Sequence, residues 1–145
     1  MIREAEAADG DAIQSLYRDL CPNAPVKVLP ERIEQIRNDP NNFLYVSEED
    51  GNIYGTVFFT VCLSPLFGWQ PFGVVENFVV EGQRRAQGIG TALIDHIFRV
   101  GREKHCFAIK LLSSSFRRDA HRFFENHGFN STDKKAFIKY LNRGN

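Results

Sequence analysis

Apolar residues in this chain recur with two periods, and the switches between them predict its elements. "MIREAE" alternates weakly and predicts a strand. Ile13, Leu16, Tyr17 and Leu20 then fall at helical spacing in "AIQSLYRDL", with the side chain of Asp9 or Asp11 as the cap. "CPNAPVKVLP" breaks that helix, and Pro30 suits the first position of a short second one, "PERIEQIRND", which Pro40 stops. "NFLYVSEEDGNIYGTVFFTVCL" carries two β-branched and aromatic runs on either side of Asp50-Gly51, a hairpin turn. "SPLFGWQPFG" predicts an irregular loop, and "VVENFVV" (74–80) the next strand. From Gly90 to about His105, Leu93, Ile94, Ile97, Phe98 and Val100 mark an amphipathic helix whose last turn carries Arg102 and Lys104, favourable to its dipole. "CFAIKLL" predicts a buried strand. "SSSFRRDAHRFFENHGF" predicts a helix with Ala120, Phe123 and Phe124 near one face and Gly128 ending it, and "KKAFIKYL" predicts a final strand. The order is strand, two helices, three meandering strands, helix, strand, helix, strand: a mixed α/β sheet.

Composition narrows the reading. A chain of 145 residues, 43% hydrophobic and 25% charged, suits one domain (1–145) with a core that needs no staples. Its 18 basic and 18 acidic residues cancel, which argues against nucleic-acid binding through bulk charge. No apolar run approaches the roughly 18 residues of a membrane span, and the acidic N-terminus is unlike a signal peptide. The expectation is a cytoplasmic protein without a membrane partner. Cys21, Cys62 and Cys106 are odd in number and far apart, so reduced, mostly buried thiols are expected. His96 and His105, and His121 and His127, are not spaced to put two rings on one helix face, so no metal is expected.

Chemistry concentrates in "RRAQGIGTAL", Arg84 to Leu93, between the strand "VVENFVV" and the helix that follows. A helix start offers unsatisfied N–H groups and partial positive charge. Gly88 and Gly90 let a bulky anion approach the backbone, and Arg84 or Arg85 can add a charge-assisted bond, which together suit a pyrophosphate. A P-loop would need a Gly-Lys pair, and the chain has none. A dinucleotide fingerprint would need glycine where Leu93 stands. The alternative is a tight strand-to-helix turn with no ligand.

Written as R-x-x-G-x-G, residues 85–90 resemble the acyl-CoA pyrophosphate loop of the GNAT superfamily of N-acetyltransferases. "VVENFVV" resembles that family's central strand, and "DAHRFFENHGF" its A-x-x-F-Y-x-x-x-G-F segment. The resemblance implies a small single-domain member, with a mostly antiparallel sheet flanked by helices and two central strands, "VVENFVV" and "CFAIKLL", splayed apart. It implies acetyl-CoA as cosubstrate, its pantetheine paired to the backbone of Phe78, Val79 and Val80, with a bulge aiming the N–H of Val79 or Val80 at the thioester oxygen. Its phosphates would lie on Arg84, Arg85, Ala86, Gln87, Gly88, Ile89, Gly90 and Thr91. Ser113, Ala120, Phe123 and Phe124 complete the implied cofactor contacts.

An alkyl amine of pKa ~10.4 needs a base before it can attack at neutral pH. Glu76 lies where many relatives carry a glutamate and is the candidate, acting through a water; a solvated or ion-paired strand carboxylate is the alternative. Phe124 departs from the family, since many relatives have a tyrosine there as general acid. Ser113, Ser114, Ser115, a nearby tyrosine or water are possible replacements, and His121 reads as a surface or capping residue. The acceptor expected is a small-molecule primary amine, attacked directly in a ternary complex; a protein N-terminus or lysine, and a CoA-binding sensor with weak catalysis, are the alternatives. Leu66, Phe67, Trp69 and Phe72 either wall the acceptor pocket or cover the core or the seam of a homodimer.

Overall fold

A computed structural model describes residues 1–142. It divides into two compact units, Met1–Leu111 and the segment from Leu112 onward. In the first unit five strands lie in the order β1 (Ile2–Glu4), β2 (Asn42–Glu49), β3 (Asn52–Phe67), β4 (Gln70–Val80) and β5 (Ile109–Leu111). Neighbours from β1 to β4 pair antiparallel, and β5 joins β4 parallel. Helices α1 (Gly10–Leu20) and α2 (Pro30–Arg37) precede β2, and α3 (Ile89–Glu103) is the crossover between β4 and β5. The mixed, mostly antiparallel sheet matches the fold class expected. Among the described residues no helix is long and apolar enough to cross a membrane.

Apolar side chains collect on both sheet faces, as alternation along the strands requires. On one face Ile13 of α1 and Ile33 of α2 bury against Ala5, Leu44 and Val46, with Tyr17 and Phe58 packed at the margin. α3 buries Leu93, Ile94, Ile97 and Val100. There the fully buried Phe59 ring runs beneath β4, where a Cβ added to Gly73 would sit 2.5 Å from it, so only glycine fits. The β2–β3 turn takes positive φ at Asp50 (52°) and Gly51 (82°), the pair that a two-residue hairpin of matching twist demands.

Four expectations are corrected. Asp9 precedes α1 without a side-chain cap bond, because its carboxylate instead accepts from the Arg3 guanidinium (2.8 Å) and the Glu6 N–H (2.8 Å). "SPLFGWQPFG" is no irregular loop: β3 and β4 continue into a hairpin tip at Gly68-Trp69, with Phe67 paired to Gln70. The irregularity is confined to β3, where residues 63–66 stand against Pro71 alone, a residue with no N–H for the ladder. The cysteines are free but not buried: Cys21 is exposed, and Cys62 and Cys106 are half-buried.

In the second unit α4 (Arg118–Asn126) closes at Gly128, φ 91°, where Gly128 N–H donates to the Glu125 carbonyl and Phe129 N–H to that of Phe124. The Phe124 and Phe129 rings meet across that closure, 5.8 Å between centroids, as such helix ends favour. "KKAFIKYL" is the fourth correction, since residues 134–141 form no strand. Phe137, Ile138 and Leu141 are exposed, so its apolar residues lack the buried face that fixes a strand.

Candidate active site

The site begins where two strands stop pairing. β5 matches β4 at Gly73, Val74 and Val75 only, while β4 runs on to Val80. On its other edge β4 stays paired with β3, except that Glu76 faces Phe58 and Val79 faces Thr56. Asn77 and Phe78 therefore share the single opposing residue Val57, which makes a bulge. Asn77 adopts φ 54°, a left-handed conformation that asparagine tolerates better than most side chains. Such a bulge re-aims the backbone groups that follow it, here those of Val79 and Val80.

Glu76 faces Phe58 across the ladder and so shares its side of the sheet, the one covered by α1 and α2. It is half-buried, and its carboxylate has no hydrogen-bond or ion-pair partner among the described residues. The ion-paired alternative is therefore not what the structure contains. On the same side of the sheet, burial pushes the Tyr17 phenol up to about 12.

After Val80, Glu81 N–H donates to the Tyr54 carbonyl (2.8 Å) and a short turn, Gly82–Arg84, leads to the loop. Ala86 (φ 65°) and Gly88 (φ 85°) are both left-handed, with Gly88 as N-cap of α3. Left-handed residues in such a turn bring neighbouring N–H groups to one side, which makes the loop a candidate anion nest. Its amides merge with those of Ile89 and Gly90, which precede the first helical bond, Ala92 N–H to Gly88 carbonyl (3.0 Å). The 15 residues of α3 aim their dipole at the same point.

The two arginines of the loop are not equivalent. Arg84 lies over the Tyr54 ring (4.0 Å), donates to the Tyr54 hydroxyl (3.0 Å) and faces Glu49 (3.6 Å). It braces the loop on the β2–β3 hairpin, with its charge partly met. Arg85 is exposed and has no side-chain partner among the described residues, so it is the cation left for an anion in the nest.

In the second unit the Ser113 hydroxyl is buried without a hydrogen-bond partner among the described residues. The His121 ring lies 2.9 Å, through Nε2, from the Ser114 carbonyl oxygen and braces the segment before α4, a tethering role. Ala120 is half-buried on α4, and the Phe123 ring lies tilted against His127 (4.3 Å) and meets Phe124 edge-on (5.5 Å). Phe124 has no proton to donate. Tyr54 and the left-handed Ala86 were missed by sequence reasoning; for the position of the bulge, an asparagine inside an apolar strand run was the available signal, since asparagine is depleted in strands. Of the residues expected either to wall the acceptor pocket or to cover the core or a dimer seam, Leu66, Phe67 and Trp69 are exposed, and Phe67 and Phe72 pack edge-on to Phe107.

A parallel strand that leaves β4 after three residues, a bulge just beyond, and a loop with two left-handed residues opening the next helix together make the candidate site. Residues 11–129 match the acetyltransferase (GNAT) family model, so the chain belongs to that family, whose activity is N-acetyl transfer. Its fold is shared with solved structures. A putative acetyltransferase from Agrobacterium tumefaciens str. C58 is 22% identical over 97% of this chain and 99% of its own, at a TM-score of 0.85. A transcriptional regulator from Bacillus halodurans C-125 is 25% identical over the same shares, at 0.84. Glucosamine-6-phosphate N-acetyltransferase from Arabidopsis thaliana is 23% identical over 97% of both chains, at 0.81.

Proposed function

We propose that the protein transfers acetyl from acetyl-CoA to a primary amine of a small molecule, by direct attack in a ternary complex. One observation carries this reading: the nest at Ala86 and Gly88, with Arg85 beside it, opens the helix that follows the bulged end of β4. The nest and the cation fit a pyrophosphate. The backbone of Phe78, Val79 and Val80 continues past the β5 pairing and suits the cofactor amides as a further strand would. Bound there, acetyl-CoA supplies an activated thioester.

This chain's residues then have distinct tasks. Glu76 takes the proton of the incoming ammonium through a water, work worth ~10²–10⁴-fold. The N–H of Val79 or Val80 donates to the thioester oxygen as negative charge grows on it, where one such donor is worth ~10²–10³-fold. No acid is essential for the leaving group, since an alkyl thiol of pKa ~8.5 departs as thiolate near neutral pH. The cofactor contacts expected at Ser113, Ala120, Phe123 and Phe124 rest on the motif.

The test is acetyl transfer from acetyl-CoA across polyamines, amino sugars, aminoalkylphosphonates, amino acids and short peptides, read by mass spectrometry. Transfer to one small-amine class is the expected result, and Glu76→Gln should then lower kcat about 100-fold with little change in CoA affinity. Transfer only to peptides would replace the small-molecule acceptor with a protein one. Phe124 favours a second reading, a CoA-binding regulatory module, which binding without transfer to any amine would support.

A further inference from the structure

We infer that the protein dimerises through the arm that β3 and β4 extend beyond β2, a second copy of the same chain covering Leu63, Leu66 and Trp69. The inference does not depend on the acetyl-transfer reading.

The arm begins where β2 ends. β2 pairs with β3 as far as Thr60, and Val61 N–H still donates to the Asn41 carbonyl (2.8 Å). From Cys62 to Phe67 no strand lies along that edge of β3 among the described residues. The other edge of the arm is braced. Phe107 N–H donates to the Pro71 carbonyl (2.9 Å), and the Phe107 ring meets those of Phe67 (4.7 Å) and Phe72 (6.2 Å). One side is thus fixed to the sheet, and the other is open.

What stays open is apolar. Leu63 is 82% exposed, Leu66 69% and Trp69 99%, with Phe67 half uncovered. Together these side chains offer on the order of 500 Å², since one aromatic side chain alone carries ~150–250 Å². The largest apolar patch of an ordinary monomer is ~300–600 Å² and is often functional. Each partner in a stable interface gives ~800 Å², of which this patch supplies more than half.

Charge selects the occupant. No charged residue occurs from Gly51 to Val75, although 25% of the chain is charged. A contact about a two-fold axis sets a patch against its own copy, so charges within it meet their like; a patch with none has nothing to repel. A lipid surface would call for lysines or arginines beside the aromatic residues, and the arm has neither. The acceptor amine is too distant. Gln70, next to Trp69, is six residues from Glu76 on β4, about 20 Å at the rise of a strand. Pro65 and the irregular pairing of residues 63–66 stop the open edge from adding strand upon strand. Side chains therefore make the contact, and a patch that each copy uses once closes at two.

The experiment is sedimentation of the full chain from low to high micromolar concentration, with amide exchange measured at both ends of the range. The wild type should approach twice the monomer mass as concentration rises, and exchange should slow within residues 62–70 while other segments keep their rates. Trp69→Ser should weaken the dimer at least about 30-fold in Kd, the size of an interface hot spot. Leu66→Asp, which sets a carboxylate into the seam from each copy, should stay monomeric throughout. Both positions are exposed, so the circular dichroism melts of the dilute chains should nearly coincide. A wild type that remains monomeric, a dimer that either variant leaves intact, slowing outside the arm alone, or growth into larger assemblies would overturn the inference. So would a monomer whose arm slows only with phosphatidylcholine vesicles or only with an acetylated amine, which would give the tip to a lipid surface or to the acceptor.

Discussion

Adjacent arginines with different surroundings show how much a single side chain's environment decides. Arg84 is spent on Tyr54 and Glu49, whereas Arg85 is left to solvent beside the nest. The sequence offered both for the phosphates and had no means to separate them, because the partners lie some thirty residues away on a hairpin. Asp9 was misjudged for a similar reason. Helix-cap rules see its place before α1, while its real partner, Arg3, sits on β1. The Arg3 guanidinium holds the Asp9 carboxyl below the usual carboxylate range, and burial opposes this less strongly. The unfolded chain therefore takes up this proton at a higher pH than the native one. Stability from the pair is complete well above 3.8, the ordinary value, and drains away as pH falls through the lowered native value. Urea unfolding from pH 6 down to pH 3 should show the midpoint dropping at the acid end. Asp9→Asn should flatten that part of the profile and start from a lower midpoint.

At the level of elements, the β4–β5 pairing depends on close approach of Phe59 to Gly73, and Gly101 on α3 likewise leaves room for Ile109 of β5. Gly73→Ala would press a methyl onto the Phe59 ring at 2.5 Å, and overpacking of this kind costs ~1–3 kcal/mol. Denaturant melts should show that loss, with Phe59→Leu in the same chain recovering part of it; equal stability of Gly73→Ala and the wild type would contradict the packing described. The helices were legible because α1 and α3 each repeat apolar residues over three or four turns. Strands were legible in existence but not in extent. Seven residues of "CFAIKLL" reduce to Ile109–Leu111, since pairing with a partner, invisible in the run itself, sets where a strand ends. The segment 134–141 had the composition of a strand, and its apolar side chains are largely exposed. The loop motif was legible through Gly88 and Gly90, yet the nest also needs Ala86 in a conformation that alanine gives no hint of.

For the molecule as a whole, binding and stability are linked. Acetyl-CoA at 100 times its Kd should add ~2.7 kcal/mol to the free energy of unfolding. For a chain of this length that is a rise of roughly 5–10 °C in Tm. Arg85→Ala should abolish most of that rise while leaving the melt of the ligand-free protein where it was, because Arg85 has no side-chain partner among the described residues to lose. Arg84→Ala should do the reverse, lowering the ligand-free Tm and keeping the shift. The choice of optical probe for such melts follows from the hairpin tip. Trp69 is the sole tryptophan and is 99% exposed. In a single copy its indole already sits in water in the native state, so its emission colour should scarcely move when the sheet of a monomer unravels. Circular dichroism is the signal to follow for folding. The indole becomes instead a quiet lamp at the end of the hairpin, one that changes hue only when something settles over it.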